Sequence, residues 1–209
     1  MQPIKVSTMT GKLKGLSGIN FSPLDNEFCM SMAGKEGTVC GHCYSRKMLK
    51  TFRKNAEPAF AKNSRELSIL RNEEDLPSFI QGSFVRFLAH GELHNATQAQ
   101  NFIRIAKKSP RSSFALWTKR PFLVQEAADA EGGIPHNLVL IQSISLLDSE
   151  QVFQHPLFDG VFRVFNPDKS PEPRGDMWEC NGKNCASCLH CYSKIRVQQR
   201  PHIIEKLRK

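Results

Sequence analysis

The chain has 209 residues, 40% of them hydrophobic, enough for one substantial core and too few for a second full domain of ordinary size. No stretch approaches the roughly 20 apolar residues of a membrane-spanning helix, and residues 1–18 lack the unbroken apolar run of a signal peptide. A soluble, cytoplasmic chain without membrane attachment is therefore expected. The formal net charge of +9 favours an anionic partner, nucleic acid among them, with a merely solvated basic surface as the competing reading. The charge gathers in Arg46, Lys47, Lys50, Arg53, Lys54, Lys62 and Arg65, and again in Lys194, Arg196, Arg200, Lys206, Arg208 and Lys209.

In chain order, a first strand is expected around Ile19-Asn20-Phe21, followed by a loop that carries Cys29, Gly34, Gly37, Cys40, Gly41 and Cys43. Residues 44–70, rich in Lys, Arg, Ala and Glu, read as two helices joined at Pro58. Phe84-Val85-Arg86-Phe87-Leu88-Ala89 is strand-like and ends in His90-Gly91-Glu92-Leu93. Residues 97–107 follow as a helix, with Thr97 and Gln100 in a capping-box pattern and Phe102, Ile103 and Ala106 on one face. Ser113-Phe114-Ala115-Leu116-Trp117 is the next strand; Pro121 opens a helix that Gly132-Gly133 closes. Leu138-Val139-Leu140-Ile141-Gln142 and Val161-Phe162-Arg163-Val164-Phe165 complete the series.

Nearly continuous apolar strands alternating with amphipathic helices indicate an α/β protein with a parallel sheet. About five strands suit an open sheet or part of a (β/α) barrel, with function at the carboxyl ends of the strands. The Pro-rich, charged residues 166–176 read as a linker. This divides the chain into a core over 1–170, including the first cysteine loop, and a small cysteine-rich module over 171–209.

The seven cysteines form two groups, Cys29, Cys40 and Cys43, then Cys180, Cys185, Cys188 and Cys191. An odd count in a reducing compartment points to metal in preference to disulfides. Three thiolates can hold a [4Fe-4S] cluster with one iron left open, while four close the coordination sphere. The terminal run matches ferredoxin-type spacing, with tetrahedral zinc as the alternative there. His190 stands beside this run as a neighbour; for the first group, a zinc knuckle with His42 as fourth ligand, or three unrelated buried thiols, is the competing reading. Gly91 would let a ligand approach the backbone and Glu92 would accept hydrogen bonds from an ammonium group. Thr118, Lys119 and Arg120 lie on the rim, where cations would hold a phosphate or carboxylate.

The order of strand, cysteine loop ending in Cys43-Tyr44, helical segment, strand and His90-Gly91-Glu92 resembles the radical S-adenosylmethionine (SAM) superfamily. Closer still, Gly15-Leu16-Ser17-Gly18, Cys40-Gly41-His42-Cys43-Tyr44, His90-Gly91-Glu92-Leu93, Ala115-Leu116-Trp117-Thr118-Lys119-Arg120 and the terminal cysteine run resemble a phage and prophage family known as gene product eighty-eight. The superfamily resemblance implies an open [4Fe-4S] cluster on Cys29, Cys40 and Cys43, with SAM chelated to its free iron. It further implies an auxiliary cluster on the last four cysteines, His90, Gly91 and Glu92 lining the SAM site, and an electron donor as partner. The chain departs from the superfamily pattern in two places: ten residues separate Cys29 from Cys40 where three are usual, and His90 stands where glycine is usual. The alternative function is a nucleic-acid-binding phage protein in which iron–sulfur or zinc is structural and no catalysis occurs.

Overall fold

The computed structural model describes residues 3–182 and 184–207. The chain order is β1 (Ser7–Thr8), β2 (Ser17–Ile19), α1 (Glu27–Ser31), α2 (Tyr44–Lys50), α3 (Glu57–Leu67), β3 (Phe84–Phe87), α4 (Ala96–Lys108), β4 (Ser113–Thr118), α5 (Pro121–Glu131), β5 (Leu138–Ser143), β6 (Gly160–Phe165), β7 (Met177–Glu179), α6 (Cys185–Cys188), α7 (Lys194–Gln199) and β8 (His202–Lys206). One open sheet of 8 strands runs β1-β2-β3-β4-β5-β6-β8-β7, parallel throughout except for the β1–β2 pair. The fold is α/β, and none of the described helices is long and apolar enough to cross a membrane.

The five expected strands lie side by side in sequence order, β2 to β6. A parallel pair joined by a right-handed crossover puts its helix on one side of the sheet, so strands laid down in order collect α3, α4 and α5 on the same face. Side-chain alternation then separates two environments. Val85, Phe87, Phe114, Leu116, Leu138 and Leu140 pack with Leu67, Phe102, Ile103, Val124 and Ala127 beneath the helices. The intervening Ala115, Val139, Ile141, Phe162 and Val164 face the other way, against Leu16, Tyr192, Val197 and Ile203 from the two ends of the chain. Arg86 and Trp117 share that second face, with the guanidinium 3.8 Å from the indole centroid.

Four expectations are corrected. The sheet has 8 strands instead of about five, because β1, β7 and β8 join its edges. Residues 171–207 do not stand apart as a hanging module: β8 pairs with β6 over Val161 to Phe165 and carries β7 with it. The cap of α4 lies two residues before Thr97. Asn95 Oδ1 accepts from Gln98 N as the cap, and Gln98 Oε1 accepts from His94 N, one residue before it. Pro58 sits in the first turn of α3 and the joint between helices falls at residues 51–56. Pro121 opens α5 and Gly132, at φ +71°, ends it as expected.

Candidate metal centre

All seven cysteines line one cavity of about 390 Å³ on the sheet face away from the helices, and all seven are free thiols. Each group is local. Burial is the main cause that raises the Cys29 pKa, with Cys43 and Cys40 among the lesser contributors, and burial is likewise the main cause for Cys191, with Cys180, Cys185 and Cys188 adding to it. Among the described residues, no three His, Cys, Asp or Glu side chains converge tightly enough to hold a single ion.

The first group is built by short caps. Asn26, buried, accepts from Cys29 N at the start of α1 and donates to the Glu92 carbonyl, tying the first cysteine to the turn after β3. Thr38 accepts from Gly41 N and donates to the Lys35 carbonyl. A Cβ on Gly41 would stand 2.5 Å from that same carbonyl, so only glycine fits between the paired cysteines. Thr38 bridges Leu146, and Val39 N donates to the Ser145 carbonyl, pinning the loop to the end of β5. Cys43 then precedes α2.

In the second group, α6 carries Cys185 and Cys188 and ends at Leu189, whose φ of 52° turns the chain into the segment with Cys191. Leu88, at φ 58°, follows β3. Both leucines line the cavity, and left-handed backbone at a non-glycine residue costs on the order of 1–3 kcal/mol, a strain that clusters at functional sites.

Burial pushes the Cys29 thiol up to about 12, with Glu92 and its two partner thiols adding to the effect and Lys119 opposing it. Burial likewise pushes Cys191 up to about 12, opposed by Arg86. Cys40 and Cys185 move in the same direction, again chiefly through burial. Without a compensating cation these thiols stay protonated, whereas a bound metal ion removes the proton and restores thiolate.

Arg86 is the residue that sequence reasoning missed. Burial lowers its proton affinity, and the groups that favour its charge are Tyr192 and the thiols Cys191, Cys185 and Cys180. Among the described residues it forms no ion pair with a carboxylate, and its Nε has no hydrogen-bond partner. A lone arginine in the apolar run Phe84-Val85-Arg86-Phe87-Leu88 was the available signal. Trp117, at the end of the next strand, stacks on it. Lys12, also missed, pairs with Glu205 at 3.0 Å and places Nζ 4.0 Å from Cys180 Sγ. His190 stacks on Trp178 at 4.4 Å beside the thiols, and His42 is exposed.

Gly91, Glu92 and Lys119 line the cavity. Gly91 has φ +82° and a Cβ there would lie 2.5 Å from the Phe21 carbonyl oxygen, so glycine is required by the neighbouring strand end and not by a ligand. Gly91→Ala is expected to cost about 2–3 kcal/mol in urea unfolding. Glu92 is 3% exposed. Its Oε1 accepts from the Thr118 hydroxyl and Leu93 N, and its Oε2 from Lys119 N, which leaves one lone pair on Oε2 for a ligand. Arg120 is spent on the Leu93 and His94 carbonyls.

His90 is absent from the cavity lining, contrary to the expectation that it would face the site. Its ring stacks on Phe60 at 5.4 Å and its Nδ1 lies 2.8 Å from Ser45 Oγ. Burial, with Arg53 and Arg86 nearby, lowers its pKa to about 4. The unfolded chain therefore takes up a proton near pH 6.5 that the fold refuses until about pH 4. Stability falls as pH drops through that window, by at most roughly 1.4 kcal/mol per unit. Urea melts of wild type and His90→Gln between pH 4 and 7 should show this dependence diminished in the variant.

No family model, no curated protein and no solved structure matches this chain.

Proposed function

We propose that the protein is an iron–sulfur protein of radical-SAM-like type, with Cys29, Cys40 and Cys43 holding an open [4Fe-4S] cluster and Cys180, Cys185, Cys188 and Cys191 a second, closed centre. The observation that carries this reading is the half-buried Arg86, which lines the cavity together with the second thiol group and has no carboxylate partner among the described residues. A partly buried cation with only protonated thiols around it is unfavourable. Four thiolates around iron–sulfur or zinc give an anionic centre, which compensates it. Two further observations support the reading: seven thiols lining one cavity, and strained backbone at Leu88 and Leu189 in the same lining.

In this proposal an iron–sulfur centre, when bound, supplies one-electron chemistry, and in radical-SAM proteins it is the electron source for SAM cleavage. The remaining work belongs to the chain. Lys119 balances charge near Cys29 and Cys40, the free lone pair of Glu92 accepts from an ammonium group, and Trp117, Phe162 and Leu88 keep water from the cavity. An electron donor is the partner this chemistry requires, and nucleic acid is the partner the basic surface suggests. Anaerobic reconstitution followed by electron paramagnetic resonance tests the reading. A reduced-cluster signal that changes on addition of SAM is expected; a signal indifferent to SAM removes the SAM part, and no cluster signal removes the whole.

A further inference from the structure

At one edge of the cavity mouth lies a surface unlike the rest of the molecule. Residues 37–56 contain Arg46, Lys47, Lys50, Arg53 and Lys54 and no Asp or Glu. None of these five cations forms an ion pair among the described residues: Arg46 donates to the Pro23 carbonyl and Arg53 to the Thr10 hydroxyl, both neutral acceptors. The terminal basic stretch is different, since Lys206 pairs with Glu179 and Arg200 lies over Trp178. Among the cations of α2 and its following loop stand two aromatic rings, Tyr44 at 60% and Phe52 at 65% exposure, with centroids 6.2 Å apart. Large exposed aromatics are costly in water, and a pair of them needs a reason.

We propose that this surface binds single-stranded nucleic acid, with phosphates on Arg46, Lys47, Lys50, Arg53 and Lys54 and unpaired bases stacked on Tyr44 and Phe52. Unneutralised cations supply the backbone attraction and aromatic faces supply the sequence-tolerant stacking that such strands use. Duplex DNA suits the surface poorly, because its bases are already stacked on one another. A membrane surface suits it poorly too, since α2 spans only 7 residues and buries little apolar face. Tyr44 follows Cys43 and lines the cavity itself, so a strand seated here runs past the mouth of the thiol site. The inference deepens the nucleic-acid partner reading by naming the surface and the strandedness, and it stands independently of the metal.

Fluorescence anisotropy of a labelled 12-nucleotide oligothymidylate with the full chain, as purified, tests it. We expect a logarithmic salt slope of roughly −2 to −3.5, corresponding to three to five neutralised phosphates. Tyr44→Ala and Phe52→Ala should each weaken binding about 5- to 100-fold, and Tyr44→Phe should retain it. Circular dichroism and metal content of each variant, unchanged from wild type, separate a lost platform from a lost fold or a lost metal site. Equal affinity for the matching duplex, equal retention on vesicles rich in phosphatidylserine, or alanine variants that bind as wild type would each overturn the proposal. If a variant loses its fold, the charge reversal Lys47→Glu/Lys50→Glu on the exposed face takes its place and must abolish binding at 150 mM salt.

Discussion

Arg86→Met is expected to change stability in opposite directions in the metal-free and the metal-loaded protein. In the metal-free protein the guanidinium sits over Trp117 with thiols held protonated by burial and no carboxylate among the described residues to pair with. Replacing it with an unbranched apolar side chain of similar reach removes an uncompensated, partly buried charge, and stability should rise by about 1–4 kcal/mol. In the loaded protein the same substitution takes the counter-cation away from an anionic centre. Stability there should fall by a similar amount, again about 1–4 kcal/mol. Urea unfolding of both forms, prepared anaerobically, measures the two changes. A fall of equal size in both forms would mean that Arg86 serves only packing.

The second large effect concerns the independence of the two thiol groups. Cys40→Ser and Cys188→Ser should each remove one centre and leave the other, because Cys40 lies near Cys43 in the first group and Cys188 near Cys191 in the second. With two four-iron clusters, each variant is expected to retain about half the iron and half the acid-labile sulfide of wild type. Electron paramagnetic resonance of each variant should then give a single, different reduced signal. If either substitution empties the protein entirely, the seven cysteines serve one shared site.

The central sheet was legible because its strands are buried on both faces, so that Leu138 to Ile141 reads as an unbroken apolar run and Val161 to Phe165 as one interrupted only by Arg163. The edges were not. β8 has only Ile203 and Ile204 buried between His202 and Lys206, and β7 is three residues long after a proline-rich passage, so neither carries a periodic signal. Missing β8 is what made the last cysteines look like an appendage. Its pairing with β6 draws them over the sheet, into the lining of the cavity that the first group also lines.

The site was half legible for a related reason. Cysteine spacing and the strand-ending Gly91-Glu92 are local, and the cavity gathers them together with Lys119. Arg86, Trp117 and Lys12 belong to the site through the pleat of β3 and β4 and through contacts distant in sequence, such as the pairing of Lys12 with Glu205. His90 went the other way. Leu88 adopts a left-handed conformation, and past it the His90 side chain lies against Phe60 while Glu92 reaches the cavity.

Iron, acid-labile sulfide and zinc measured per chain on anaerobically purified protein test the central claim most directly. An open four-iron cluster beside a closed second centre predicts brown protein with about eight iron and about eight sulfide per chain, or about four of each with one zinc. Colourless protein carrying zinc, or no metal, would contradict it.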